Sequence, residues 1–136
     1  MISNHENRNR DFVALCRREF NELAAQRGVA PEVREVVARV MSRPAPTYYV
    51  DYDNAYNTMV KALRRGGPER SRYMSSDWRC DMYDDLLHLL RTKPKVPLSE
   101  LIMSLLQGLA GSPSFYFTRR TAMKILRPHI HNIRSL

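Results

Sequence analysis

Apolar positions recur at intervals of three and four residues along most of the chain, which predicts amphipathic helices. The spacing predicts a mainly α fold with about six helices, over about 8–27, 31–42, 52–65, 77–92, 98–109 and 119–127. Glycine or proline follows most of these segments and marks where each helix ends. Gly28 and Gly66 are the clearest of these stops.

Two segments of similar sequence stand between predicted helices. They read PTYYVDYDNAYNTM over 46–59 and PSFYFTRRTAMKIL over 113–126. The likeness extends upstream to helices at 33 and 98 if the second copy has two extra loop residues. Self-similarity on this scale predicts an internal repeat over approximately 33–65 and 98–128, each half being helix, proline-aromatic strand and helix. The alternative is a chance recurrence of proline and aromatic residues in two connecting loops.

The aromatic and β-branched residues of both segments favour a short strand. A lone strand is an edge that needs a partner, so the two are predicted to pair as one small two-stranded antiparallel ribbon. Asp51 and Thr118 then stand at equivalent positions and suit the N-caps of the helices that follow. Strand alternation turns Tyr49 and Tyr116 away from the more apolar face.

Length and composition bound the remaining possibilities. The chain of 136 residues suggests a single domain over 1–136, with a polar, disordered segment over 1–7. Its apolar runs are too short to span a membrane, and the polar N-terminus does not resemble a secretory signal. Cys16 and Cys80 are isolated and favour a reduced state, although spacing leaves a disulfide open. A cytoplasmic protein is expected.

The charge is one-sided, with a net charge of +8 and a pI near 9.9. The sixth helix is predicted to carry four cations, Arg119, Arg120, Lys124 and Arg127, and a second basic group, Lys61, Arg64 and Arg65, ends the third helix. Guanidinium groups suit phosphate, so the leading hypothesis is a small non-enzymatic protein that contacts DNA or RNA. Two other interpretations stay open: an ordinary solvated basic face, and contact with an acidic protein partner or an anionic surface.

Tyr49 and Tyr116 are the candidate aromatic contacts, because outward tyrosines can stack on bases. More often such rings belong to a core. The alternative function is a protein-interaction module, or a homodimer, that uses the repeated aromatic segments. Neither a catalytic motif nor a phosphate-binding glycine loop occurs. One helix face carries a cluster with spacing that suits a cation or acid-base pair, but the wet face of the fourth helix is the preferred interpretation of Asp81, Asp84, Asp85 and His88. Half a metal site is the less favoured interpretation of two tail histidines, His129 and His131. No enzyme activity, cofactor or metal is therefore predicted.

Overall fold

The computed structural model describes residues 3–68, 78–107 and 114–131. Within these ranges the protein is mainly helical, with a short 3-10 helix directly after the last α-helix. The α-helices are α1 (Asn4–Arg27), α2 (Val33–Met41), α3 (Tyr52–Arg65), α4 (Trp78–Thr92), α5 (Leu98–Leu106) and α6 (Arg119–Leu126), and the 3-10 helix is Arg127–His129. None of the helices in this part of the chain is long and apolar enough to cross a membrane.

Helix ends follow the sequence signals closely in most places. Gly28 and Gly66 end α1 and α3 with left-handed backbone, at φ values of 73° and 80°. Helix α1 begins at Asn4, earlier than expected, because the Ser3 side chain accepts a hydrogen bond from the Glu6 amide. Residues 4–7 are therefore helical, which corrects the predicted disorder of that stretch. The expected extension of α5 to Leu109 lies outside the described residues.

The predicted strands are not formed. Residues 46–51 and 114–118 have no strand structure, so the two-stranded ribbon is absent from the described residues. The physical reason is visible in the backbone, because Tyr49 and Tyr116 have positive φ values of 53° and 60°. A left-handed residue ends an extended run and removes the two-residue alternation on which the strand prediction depends.

The chain forms two compact units, where the sequence analysis predicts one domain. Unit 1 comprises Met1–Pro44 and Phe117–Leu136, and unit 2 comprises Ala45–Tyr116. In unit 1, helices α1, α2 and α6 contact one another. The buried side chains there are almost all apolar and include Phe12, Cys16, Phe20, Val36, Val37, Ala122 and Leu126.

Unit 1 also buries one charge. Glu19 is 4% exposed and accepts two hydrogen bonds from the Arg43 guanidinium, at 2.7 and 3.1 Å. Arg39 lies 3.8 Å from the same carboxylate. The pair joins α1 to the residues that follow α2, and a buried carboxylate needs such partners to offset its lost hydration.

In unit 2, helices α3, α4 and α5 contact one another in the same pairwise manner. Their core consists of Tyr48, Ala55, Met59, Met82, Leu86, Leu101 and Ile102. Helix α5 has nine residues, as α2 has in unit 1. Its buried pair, Leu101 and Ile102, occupies the same positions in the helix as Val36 and Val37 in α2. Both units are thus three-helix assemblies: unit 1 combines helices from the two ends of the chain, and unit 2 is formed by one continuous segment.

Candidate nucleic-acid interface

Helix α6 is fixed by a cap and by two buried side chains. The Thr118 hydroxyl accepts a hydrogen bond from the Thr121 amide at 3.1 Å, which satisfies one free donor at the helix start. Ala122 and Leu126 are 0% and 1% exposed and turn one face of the helix into unit 1. The opposite face of the helix therefore points to solvent.

The four predicted cations of this segment all point outward. Arg119, Arg120, Lys124 and Arg127 are exposed. Within the part of the chain that the structure describes, no carboxylate lies within ion-pair distance of any of them; the ion pairs present involve Glu19 and Glu35. Arg120 and Lys124, four residues apart, share one stripe of the α6 surface, and Arg127 is the residue that caps the end of the helix. The four are called the α6 cations below.

The start of α6 departs from the electrostatic pattern of the other helices. Each of the helices α1 to α5 has one acidic residue in its first turn; in chain order these are Glu6, Glu35, Asp53, Asp81 and Glu100. Helix α6 has none and begins with Arg119 and Arg120 instead. Cations at this end oppose the helix dipole and lower the stability of the helix. They also concentrate positive potential where an anion would meet both the guanidinium groups and the dipole.

An open groove runs between α1 and the segment from α6 into the 3-10 helix. Its volume is about 730 Å³, and it is lined by Glu6, Asn9, Arg10, Val13, Ala14, Arg17, Lys124, Ile125, Pro128 and His129. Arg10 and Arg17 stand on the α1 wall and Lys124 on the opposite wall. The rest of the lining is partly apolar, with Asn9 and His129 as further polar residues and Glu6 as its one acid.

Phe117 holds the start of α6 against α1. Its ring meets Phe12 edge to face, with ring centres 5.0 Å apart. The Arg8 guanidinium lies over the Phe117 ring at 5.0 Å, and partial burial lowers the pKa of Arg8 from its usual value. Edge-to-face and cation–π contacts of this kind stabilise a packed aromatic residue. They fix the two walls of the groove relative to each other.

The second basic group lies in unit 2, at the end of α3. Lys61, Arg64 and Arg65 are exposed. Lys61 and Arg65 line a smaller groove of about 160 Å³, together with Thr58, Ala62, Gly67, Pro68 and Arg79. Arg65 and Arg79 have further interactions of their own. Arg64 does not line this groove, so the structure brings two of the three predicted residues together.

Tyr49 and Tyr116 are half-buried in unit 2. Tyr49 stacks on Phe115 with ring centres 6.1 Å apart, and Tyr116 stacks on Tyr48 at 6.4 Å. Phe115 and Tyr48 are 3% and 4% exposed, so the stacks belong to the interior of the unit. The prediction that both tyrosines turn away from the apolar residues fails, because the left-handed backbone brings their rings back onto the aromatic neighbours.

Two hydrogen bonds to α4 hold these rings. The Tyr48 hydroxyl donates to Asp85 and the Tyr116 hydroxyl donates to Asp81, each at 2.6 Å. Burial raises the pKa of Tyr48 far above its ordinary value, and the hydrogen bond to Asp85 raises it further. Two of the carboxylates that the sequence places on the wet face of α4 therefore have structural partners. Their bonds satisfy hydroxyl groups that burial would otherwise leave without water.

Three residues of the larger groove escape the sequence analysis. The sequence pattern assigns Arg10 and Arg17 to no site, because they lie off the apolar stripe of the first helix, and His129 is treated as a tail histidine. A signal does exist, because their interval of seven residues puts the two arginines on one helix face. The partner wall is more than a hundred residues away, and nothing in a single sequence pairs the two. In the described ranges no cluster of three or more metal-ligating side chains occurs.

Comparison of this chain with protein-family models, curated proteins and solved structures finds no match. Charge, exposure and groove geometry therefore carry the functional argument.

Proposed function

We propose that this protein binds nucleic acid through the outward face of α6, with Arg119, Arg120, Lys124 and Arg127 contacting phosphates. The observation that carries the proposal is that four neighbouring cations are exposed with no carboxylate paired to them in the described structure. An ordinary solvated surface tends to intersperse both signs of charge. Phosphate oxygens are the ligands that guanidinium groups suit best.

The first turn of α6 adds a separate line of support. Arg119 and Arg120 weaken the helix that carries them, since both oppose its dipole. Residues that break a local stability rule are expected mainly at functional sites. A phosphate group at this end would reverse the penalty, because it would interact favourably with both the arginines and the helix dipole.

We further propose that the two halves of the chain are repeats and that Lys61 and Arg65 form a related contact in the first half. Helices α2 and α5 have equal length, and each is followed by an aromatic segment with a left-handed tyrosine. Asp51 and Thr118 then cap α3 and α6. The linings of the two grooves also correspond: Thr58, Lys61 and Ala62 follow Asp51 at the intervals at which Ile125, Pro128 and His129 follow Thr118.

The test is the salt dependence of binding. Fluorescence anisotropy would measure the affinity of labelled DNA and RNA between low and physiological salt, for the wild type and for a variant with the four α6 cations changed to glutamine. Each lost phosphate contact should reduce the slope of log affinity against log salt by about 0.7–0.9. The variant should therefore bind more weakly and with a much flatter slope.

A matched control removes the same number of charges elsewhere. Arg34, Arg91, Lys93 and Lys95 are exposed and lie outside both grooves. Changing these four to glutamine should leave the salt slope close to that of the wild type. Equal losses in the two variants would mean that only net charge matters, and the assignment of α6 would then be wrong.

A protein-interaction role for the aromatic segments has weaker support. Tyr48 and Phe115 are buried, and both stack on rings of the other segment within unit 2. The exposed large apolar side chains in the described ranges are Val29 and Met103, which belong to different units and make no aromatic patch. We therefore prefer the phosphate-binding hypothesis.

A further inference from the structure

We infer that the ligand lies in the groove between α1 and α6, and that it is a single extended strand of nucleic acid. This inference rests on the proposed function and adds two things to it. It names Arg10 and Arg17 as the second wall of the site, and it assigns the form of the nucleic acid. Neither α1 residue is needed if the ligand contacts α6 alone.

The size and charge of the groove suit a strand. Its volume of about 730 Å³ lies within the usual range for binding sites, roughly 300–1,000 Å³. Arg10 and Arg17 are seven residues apart in α1, which is about 10 Å along a helix axis. Phosphates recur about every 3.4 Å along a duplex strand and more widely in an extended one, so at most about three nucleotides would span the two arginines.

The apolar floor favours a single strand over a duplex. The floor is the apolar part of the groove lining, formed by Val13, Ala14, Ile125 and Pro128. A duplex keeps its bases inside two backbones, so its phosphates would meet the walls and leave the floor unfilled. A single strand exposes its sugars and base faces, which can cover apolar side chains while its phosphates meet the cations. The imidazole of His129 and the arginine planes offer surfaces for stacking.

An acidic peptide is the competing ligand, since it would also neutralise the walls. The cations point to phosphate, because two of the three that line the groove, Arg10 and Arg17, are arginines and the third is Lys124. Planar guanidinium groups bind phosphate through two parallel hydrogen bonds and also stack on bases. A peptide carboxylate uses the first property but not the second.

The experiment uses the full chain with Arg10→Gln/Arg17→Gln and measures anisotropy of a labelled oligo(dT) strand and of a hairpin duplex. If both arginines contact phosphate, the salt slope for the strand should fall by about 1.4, because each contact contributes about 0.7 on single strands. Duplex binding should change less. Arg18→Gln/Arg34→Gln is the control, since both arginines are exposed on α1 and α2 but do not line this groove.

A second variant fills the floor without altering charge. Ala14 is exposed and lines the groove, and Ala14→Leu should weaken binding of the strand while leaving the thermal melt of the protein unchanged. If both groove variants bind the strand as tightly as the wild type while the α6 glutamine variant binds poorly, the ligand does not lie in the groove. The proposed function would still stand in that case.

Two further outcomes separate the remaining possibilities. Tighter binding of the duplex than of the strand would overturn the assignment of the ligand. So would polyglutamate that displaces the labelled strand as well as unlabelled strand does at the same charge concentration. If the wild type binds no nucleic acid at physiological salt, both the groove site and the proposed function are wrong. Preference for the strand, with losses in both groove variants, would support the inference.

Discussion

Tyr49 and Tyr116 share a left-handed backbone conformation, with φ values of 53° and 60°, and stand at equivalent positions of the two aromatic segments. No other non-glycine residue in the described ranges has positive φ. This conformation costs a residue with a side chain about 1–2 kcal/mol. Each tyrosine offsets the cost by stacking on a ring of the other segment. The two segments thus hold each other in a conformation that neither would favour alone.

The strained backbone predicts an unusual order of stability at Tyr49. Tyr49→Gly and Tyr49→Ala both remove the ring, but glycine adopts positive φ freely. The glycine variant should therefore be more stable than the alanine variant by about 1 kcal/mol, as measured by urea unfolding.

The matched control is Asn57, an exposed residue within α3. There the order should reverse, with alanine more stable than glycine by roughly 1 kcal/mol, because the helix interior disfavours glycine. The same order at both positions would argue against left-handed strain at Tyr49.

Tyr48 predicts a loss of stability at alkaline pH. Its pKa is raised above the ordinary value of 10.0, so the folded state favours the neutral hydroxyl. A raised pKa gives stability that is complete below the unfolded pKa and is lost as the pH rises above it. Unfolding free energy should therefore fall above about pH 10, and Tyr48→Phe should make the decline less steep.

Cys16 also contributes to the loss of unfolding free energy at alkaline pH. Burial raises the pKa of its thiol to about 12, so its contribution is lost as the pH rises from about 9 towards 12.

Tyr48→Phe should also lower stability at pH 7 by about 1.5–3 kcal/mol, because Asp85 loses a hydrogen bond. An unchanged alkaline slope in this variant would show that the Tyr48 hydroxyl is not the group responsible.

Local patterns predict most of the helices, because periodicity and end signals both act over a few residues. Helix α3 begins and ends where Asp51 and Gly66 predict. The strand prediction for the aromatic segments is wrong, since β propensity reflects a pleated, half-buried surface that these residues do not occupy. Their conformation depends on stacking between segments far apart in sequence. Single-sequence reasoning cannot supply that contact.

The candidate site divides in a similar way. The four α6 cations could be listed from the sequence, since helical spacing and a local absence of acids both identify them. The wall formed by Arg10 and Arg17 could not, because it depends on how α6 packs against α1. That packing is set by Phe12 and Phe117, whose contact joins opposite ends of the chain.

Substitutions at Glu19 and Arg43 should have strongly non-additive effects on the free energy of unfolding. Arg43→Met keeps the apolar stem but leaves the buried Glu19 carboxylate with Arg39 alone, 3.8 Å away. Stability should fall by about 1–3 kcal/mol, the usual cost of an unsatisfied buried group. Adding Glu19→Leu removes the carboxylate and should recover most of the loss.

Thermal and urea unfolding of the four proteins in this cycle would measure the coupling between the two residues. A control at an exposed ion pair uses Arg27 and Glu35, whose side chains are 39% and 35% exposed. Arg27→Met should cost less, since solvent replaces the lost partner. Additive effects would contradict the dependence of the buried Glu19 carboxylate on Arg43.

The first turn of α6 predicts that stability and binding change in opposite directions. Arg119→Glu/Arg120→Glu should stabilise the protein by about 0.3–1 kcal/mol per residue, because acids suit the N-terminal end of a helix. The same change should abolish binding of nucleic acid, since it replaces two phosphate-binding cations with anions. Lys124→Glu is the control near the other end of α6 and should weaken binding without stabilising the protein. Urea unfolding and anisotropy on the same samples would measure both effects. A stabilised double variant that still binds would remove α6 from the interface.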